Sequence, residues 1–333
     1  MFKYLVIIVL TAVICIVPQK GKDKKGEKNK PSEVSIELNI PASLENVTIP
    51  KEMKKLLQKP LYKFTEEELD KYLSFLQETV PGLRDRIQIL AKQNMGQKYD
   101  IYLLGEFPFE IKDKQPLFNL NKSDCVVFSE HIYAMSLSHN WKEFFAMLQR
   151  IRYKDGEIGM LTRNHYTEAD WVKNNTWLIT EITDEIGGNA VVKTSSEIDR
   201  AKFFKKHGIG QNIPKEKIEW TYIPGDSLYK VLPYLKTGDF VNIVRAYPGS
   251  EPWVGHVGLV SVEKDGQVNF MHSADPVVKI QSIQSYWDEF KAKKKKNGWN
   301  FLGFRFYRLN ENAIENLKKI DGPRAPKLTI YGN

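Results

Sequence analysis

Two cysteines are all that the 333-residue chain contains, at positions 15 and 125. If the leading segment is removed on export, one thiol remains, and a disulfide framework is unavailable as a source of stability. Long apolar runs are lacking after residue 17, so the rest of the chain is expected to be soluble. Internal repeats are lacking too. A folded basic face is missing despite the net charge of +8. Residues 20–30 carry +4 and residues 291–296 carry +5, which leaves the remainder close to neutral. A nucleic-acid binder needs its basic groups on one folded face with aromatics between them. These lie in a tail and a loop-like run, so no nucleic-acid partner is expected.

What is present suits an ordinary globular protein. Apolar residues make up 42%, charged residues 27% and aromatics 12%, enough for a sizeable core. Lys3 followed by the apolar stretch Leu5 to Val17 has the form of a signal or membrane-anchor segment over 1–17. Thirteen helical residues reach about 20 Å, short of the ~30 Å hydrocarbon core, so export is favoured over a spanning helix. No small-x-small cleavage site follows, and an uncleaved anchor with N-terminal membrane association is the alternative. Cys15 ends the run, but Ile14 stands where a lipidation site carries a small residue. The expected location is the periplasm or cell envelope. Residues 18–50 have little periodicity and read as a linker.

From 51 to 333 one domain is expected, with a helical part over 51–217 and a sheet part over 218–310. Thr65 followed by Glu68 is a capping box, and Leu69, Tyr72, Leu73 and Leu76 recur at helical spacing. A second helix runs up to Gly96. Residues 101–110 are expected as a strand and turn. Further helices are expected from Asp124 and from Asn140. After about residue 218 the pattern alternates, and Asp265-Gly266 between apolar runs signals a hairpin. Helices first and an antiparallel sheet second give the α+β class.

Cys125 stands at a helix start. Ser123 or Asp124 can cap that helix, leaving the thiol in the first turn, where the dipole and unpaired N–H groups favour the thiolate. The same N–H groups can hold an oxyanion. The thiol needs a histidine and a group to orient it. Of the six histidines, His256 and His272 lie on either side of the hairpin turn and end near each other, with pairing left open. His165 is a rival base, closer to Cys125 in sequence. Against these roles stand ordinary ones: buried cysteine and strand histidine are common structural residues.

The stretch around "SDCVVFSE", with "LKTGDFVNIV", "GHVGLV" and "FMHSA" following in order, resembles the NlpC/P60 cysteine peptidases. The fuller likeness is to the DUF1460 branch, described as N-acetylmuramoyl-L-alanine amidases. It covers roughly residues 60–310 and includes Ile151, Arg152, Tyr153 and Gly156, then Arg163, His165, Tyr166, Asp170 and Trp171. The resemblance implies a papain-like fold, with a catalytic helix packed on an antiparallel sheet, N-terminal helices and a long insertion. It implies that Cys125 attacks an amide carbonyl, that His256 moves the proton, and that His272 orients His256, with Asp275 as an alternative orienter. It implies muropeptides as substrates and neither cofactor nor metal.

Likeness makes His165 a pocket residue. Arg163 is expected to bind a peptide carboxylate, or to pair with Asp170 or Glu168. Tyr166 either donates to the oxyanion or packs. Trp253 lines the sugar side or belongs to the core. Glu130 is expected to anchor the catalytic helix, with Arg152 as partner. Phe128, Ile132 and Met135 are expected in the core, and His131, His139 and His207 at structural or surface positions. Three alternatives stay open: a stem-peptide endopeptidase, an inactive wall-binding envelope protein, and an acyltransferase using an amine in place of water.

Overall fold

A computed structural model describes Leu44 and residues 48–292 and 298–321. The segment 1–17, nearly all of the linker 18–50 and most of the lysine run 291–296 lie outside the described residues. Helix α1 (Lys51–Gln58) leads into α2 (Glu66–Thr79) and α3 (Leu83–Gln93). The capping box at α2 is formed: Glu68 N donates to Thr65 Oγ1 at 3.2 Å and Thr65 N to the Glu68 carboxylate at 2.8 Å. Gly96 ends this helical region with φ +83°, a left-handed conformation that glycine adopts without strain.

Two short strands follow, β1 (Lys98–Tyr99) and β2 (Lys122–Ser123), then α4 (Cys125–Ser136) and α5 (Trp141–Arg152). Residues 101–116 form no strand, contrary to expectation. Leu103 and Leu104 turn inward against Val127, and the loop closes on itself through Gly105 N to Pro116 O (3.0 Å) and Glu106 N to Asp113 O (3.2 Å). A strand reading of "IYLLGEFPFE" fails because its apolar residues serve a local cluster instead of a sheet face.

The long connection carries a π-turn (Thr167–Trp171), α6 (Val172–Asn174), β3 (Ile179–Glu181), α7 (Thr183–Gly187), β4 (Val192–Ile198) and α8 (Arg200–Lys205). Then come β5 (Glu216–Pro224), β6 (Phe240–Ala246), β7 (Trp253–Val262), β8 (Val268–Ala274), β9 (Val277–Ser282), α9 (Ile283–Ala292), β10 (Asn300–Leu309) and α10 (Ala313–Asp321). The strands form one sheet in the order β2-β1-β9-β8-β7-β6-β10-β5-β4, with β3 also on β10. All pairs are antiparallel except β1–β2. Strands β1 to β4 precede residue 218, so the sheet recruits the helical part of the chain and the expected division at that point is not sharp. The α+β class holds.

Alternation gives the sheet two buried faces. Phe240, Val257, Leu259, Met271, Val278 and Leu309 pack under α4, where Phe128, Ile132 and Met135 form the expected core stripe. On the opposite face Val241, Ile243, Val260, Phe270, Phe304 and Phe306 pack against Ile283, Tyr286 and Trp287 of α9. Truncating one of these phenylalanines to alanine costs about 3–5 kcal/mol.

Candidate active site

Asp124 caps α4 by accepting from Val126 N (2.9 Å) and Val127 N (2.8 Å). That leaves Cys125 as the first helical residue, 6% exposed. Burial raises the Asp124 carboxyl, opposed by the Val127 N–H, the Arg152 charge and the Val126 N–H. The helix is anchored from behind. Glu130 takes Arg152 Nη1 at 3.1 Å and Trp171 Nε1 at 3.0 Å, the partnership expected for it. Arg152 Nη2 continues to Leu104 O at 3.1 Å. His131 bonds Val127 O through Nδ1 at 2.7 Å, and burial lowers it to about 4. It is a structural residue.

The hairpin turns at Gly266 (φ +85°) as expected. Leu259 pairs with Met271 and Val260 with Phe270, so His272 falls opposite Gly258 and His256 opposite Ala274. The histidines are diagonal neighbours on one face, and His256 Nε2 meets His272 Nδ1 at 2.7 Å. Gly258 permits this. A Cβ there would lie 2.6 Å from the Phe270 ring and 3.0 Å from His272 Cβ. The Phe270 ring stacks on His272 with centroids 4.4 Å apart, and Tyr286 lies over His256 at 6.3 Å. Burial first, then the charges of His272, Arg245 and Lys279, hold His256 well below the usual histidine range. His272 is lowered to about 3 by burial and Lys279, with Gln281 opposing.

The thiol and the imidazoles approach from different layers. Cys125 packs with Val254 and Val257 beneath α4, whereas His256 and His272 face α9. Two links join the layers at the strand ends. Ser273 Oγ donates to Ser123 O at 2.8 Å, tying the residue after His272 to the cap of the thiol helix. The Tyr286 hydroxyl, pushed up to about 12 mainly by burial, senses Arg245 and also the Cys125 thiol. A bulge between the Ile243–His256 and Val244–Val254 pairs places Gly255 out of register beside these links. Gly255 O accepts Arg245 Nη1 at 2.9 Å.

The other expected residues have the following partners. Arg163 gives Nη1 to Leu104 O (3.0 Å) and Asp113 (3.1 Å), with Glu106 at 3.3 Å. The expected ion pair with Asp170 or Glu168 is not formed: Asp170 pairs with Arg200 at 2.6 Å, and Glu168 accepts Val254 N at 3.4 Å. His165 bonds Met160 O through Nε2 at 2.7 Å and packs on Phe203 and Phe204. Tyr166 packs on Phe203 near the Arg200 guanidinium. Trp253 is half-buried and stacks on Tyr247 at 6.2 Å, on the strand that bears His256. Tyr286 and Arg245 were not singled out from sequence, and Glu168 was named only as a partner for Arg163. Their types are ordinary and their spacing carries no signal; only tertiary pairing brings them to the histidines. Among the described residues no group of three or more His, Cys, Asp or Glu side chains is placed to hold a metal ion.

Residues 90–293 match the family model described as AmiA-like, N-acetylmuramoyl-L-alanine amidase-like. A Legionella pneumophila protein of family DUF1460 is similar with TM-score 0.65 and 19% identity, over 73% of this chain and 94% of that one. An N-acetylmuramoyl-L-alanine amidase from Bacteroides uniformis is similar with TM-score 0.52 and 21% identity, over 68% of this chain and 99% of that one. At these identities the likeness is one of fold. No curated protein matches the chain.

Proposed function

The chain belongs to the N-acetylmuramoyl-L-alanine amidase-like family, and from that premise we propose that it hydrolyses the bond between the lactyl group of N-acetylmuramic acid and L-alanine in peptidoglycan fragments, through a Cys125 acyl-enzyme. The proposal includes a papain-like NlpC/P60 arrangement, a single catalytic domain over 51–333, and action outside the cytoplasm. The observation that carries it is the 2.7 Å bond between His256 Nε2 and His272 Nδ1, on a ribbon tied to the head of the thiol helix.

We assign the tautomers around that bond. With His272 Nδ1 as acceptor, His256 carries its proton on Nε2 and presents Nδ1 as a base. The depressed basicity of His256 means that it is neutral at pH 7, so the proton leaves the thiol as sulfur attacks the carbonyl. The imidazolium that forms keeps its Nε2–H on His272, which orients it and stabilises its charge. Asp124 occupies the Val126 and Val127 N–H groups, so the oxyanion donor in this mechanism is the Cys125 N–H. His256 then protonates the departing alanine nitrogen. Water, deprotonated by His256, attacks the thioester and releases the acyl group as a carboxylate.

Product masses test the choice of bond. Purified protein with a defined muropeptide is expected to yield intact stem peptide and a lactyl-bearing sugar acid. Fragments cut within the peptide would make it an endopeptidase. Measurable affinity with no product would make it a binding protein, and mass gain on an added amine an acyltransferase.

A further inference from the structure

One ring nitrogen of the histidine pair is unused by the mechanism above. If His272 Nδ1 accepts from His256 Nε2, a neutral His272 carries its own proton on Nε2. That nitrogen is buried, in a side chain 1% exposed, and has no hydrogen-bond partner among the described residues. A buried N–H without an acceptor is costly, and native proteins retain few. The pair therefore needs an acceptor beside His272 Nε2 to hold its tautomers.

The neighbours of His272 narrow the choice. The Phe270 ring stacks on it with centroids 4.4 Å apart, and the Tyr286 ring meets it edge to face at 5.3 Å. Phe270 offers no acceptor atom. The Ser273 hydroxyl is committed to Ser123 O on the other face of the sheet. Lys279 of β9 lies directly opposite His272, but an ammonium only donates. Gln281 of β9 pairs with Phe270, so alternation sets its side chain on the same face as His272, one diagonal step away. His256 spans the same kind of diagonal to reach His272 from β7. A half-buried glutamine on β9 is long enough to reach the ring from the opposite side, and its amide oxygen accepts. Gln281 acts to raise His272 against the lowering by burial and Lys279, as an acceptor for its ring proton does.

We propose that Gln281 is a positioning residue of this site: its side-chain oxygen accepts the Nε2 proton of His272 and so extends the hydrogen-bonded series from His256 through His272 to β9. The inference rests on the tautomers assigned under the hydrolase reading and adds a member that touches no substrate. No proton passes to the amide. Its work is to exclude the reversed arrangement, in which His272 Nδ1–H donates to His256 Nε2 and the His256 proton sits on Nδ1, where the thiol proton has to go. An uncharged acceptor does this without favouring the imidazolium, so His256 stays neutral at pH 7. The charged and titratable groups facing the pair are Arg245 from β6, Lys279 from β9 and Tyr286 from α9, with Cys125 and Glu289 acting on Tyr286.

The test is a long-range proton–nitrogen correlation spectrum of the histidine rings in the full chain at pH 7, without substrate, beside kinetics on a defined muropeptide. Wild-type His272 is expected as the Nε2–H tautomer. In Gln281→Leu the Nδ1–H form is expected to appear beside it, and kcat to fall about ten-fold at unchanged KM as the competent arrangement becomes the minor one. In Gln281→Glu the Nε2–H tautomer is expected to persist. The titration of the pair, and with it the acid limb of kcat/KM, is expected to move up by about one pH unit, because a carboxylate favours the imidazolium directly and by offsetting Lys279. A side chain that only packs moves neither the tautomers nor the titration. Wild-type His272 protonated on Nδ1, or tautomers unchanged in Gln281→Leu, overturns the inference. Should Gln281→Leu not fold, an unshifted titration in Gln281→Glu overturns it. A tautomer change in Gln281→Leu of a protein that hydrolyses no muropeptide keeps the positioning role and overturns the hydrolase reading.

Discussion

Burying an imidazole favours its neutral form, and this chain buries His131, His256 and His272. In the proposed mechanism this sets His256 as a base that is neutral at pH 7. Activity should rise as pH rises through the depressed His256 value, so the acid limb of kcat/KM is expected below 6.5. His256→Ala should abolish turnover, with a loss of about 10²–10⁴ typical of a general acid–base group. His272→Ala should lose less, because in the proposed mechanism His272 orients and does not transfer the proton; its kcat should recover in part in His272→Gln, whose side-chain oxygen can accept from His256 Nε2. Equal losses for the two alanine variants would count against the division of roles. Stability carries the same signature. An unfolded histidine takes up a proton below about 6.5, while folded His131 resists until about 4. Its contribution is therefore lost as pH falls from about 6.5 toward 4, by up to about 1.4 kcal/mol per pH unit. Urea unfolding of the wild type and His131→Asn between pH 7 and 4.5 checks this. The wild type's advantage should shrink with acid, since the buried acids act equally in both; a constant difference would contradict it.

At the level of elements, the hairpin is where the sequence was most legible. Alternation in β7 and β8 and the Asp265-Gly266 turn place the two histidines at one end, and the register makes them diagonal partners. The cap at Asp124 and the Glu130–Arg152 anchor follow from helix rules and a charged pair. What stayed hidden depends on long-range pairing: the recruitment of β3 and β4 into the sheet, the self-closed loop 101–116, the acids that pair with Arg163, and the arrival of Tyr286 over the imidazoles. The glycine two residues after the first histidine acquires a physical reason. Gly258→Ala pushes a methyl into the Phe270 ring and against His272. It should cost about 1–3 kcal/mol as an overpacked core does. It should also lower kcat more than it raises KM, because His272 shifts. A melting point and kcat equal to the wild type would show that β7 and β8 can part without consequence.

Among the described residues the strands form one sheet with apolar packing on both faces, and the "TGD" stretch is its clamp. Gly238 takes φ +84° and its carbonyl accepts the Tyr133 hydroxyl of α4 at 2.8 Å. Asp239, fully buried, accepts Lys236 N (2.9 Å) and Arg308 Nε (3.0 Å), and Arg84 of α3 reaches it at 3.2 Å. A motif legible only by resemblance thus holds the thiol helix, the N-terminal helices and β10 together. Asp239→Asn should cost about 1.5–3 kcal/mol, the range for hydrogen bonds to a charged group, read as a lower urea midpoint. Turnover per folded molecule should stay within about two-fold, since no reacting atom is touched. A large loss of kcat in fully folded Asp239→Asn would instead tie the clamp to the chemistry. The account as a whole stands on the sulfur of Cys125, and the direct measurement is turnover of a defined muropeptide by Cys125→Ala, with melting and circular dichroism matched to the wild type. A folded protein with no detectable hydrolysis is the predicted result; undiminished release of stem peptide by that variant would contradict the mechanism.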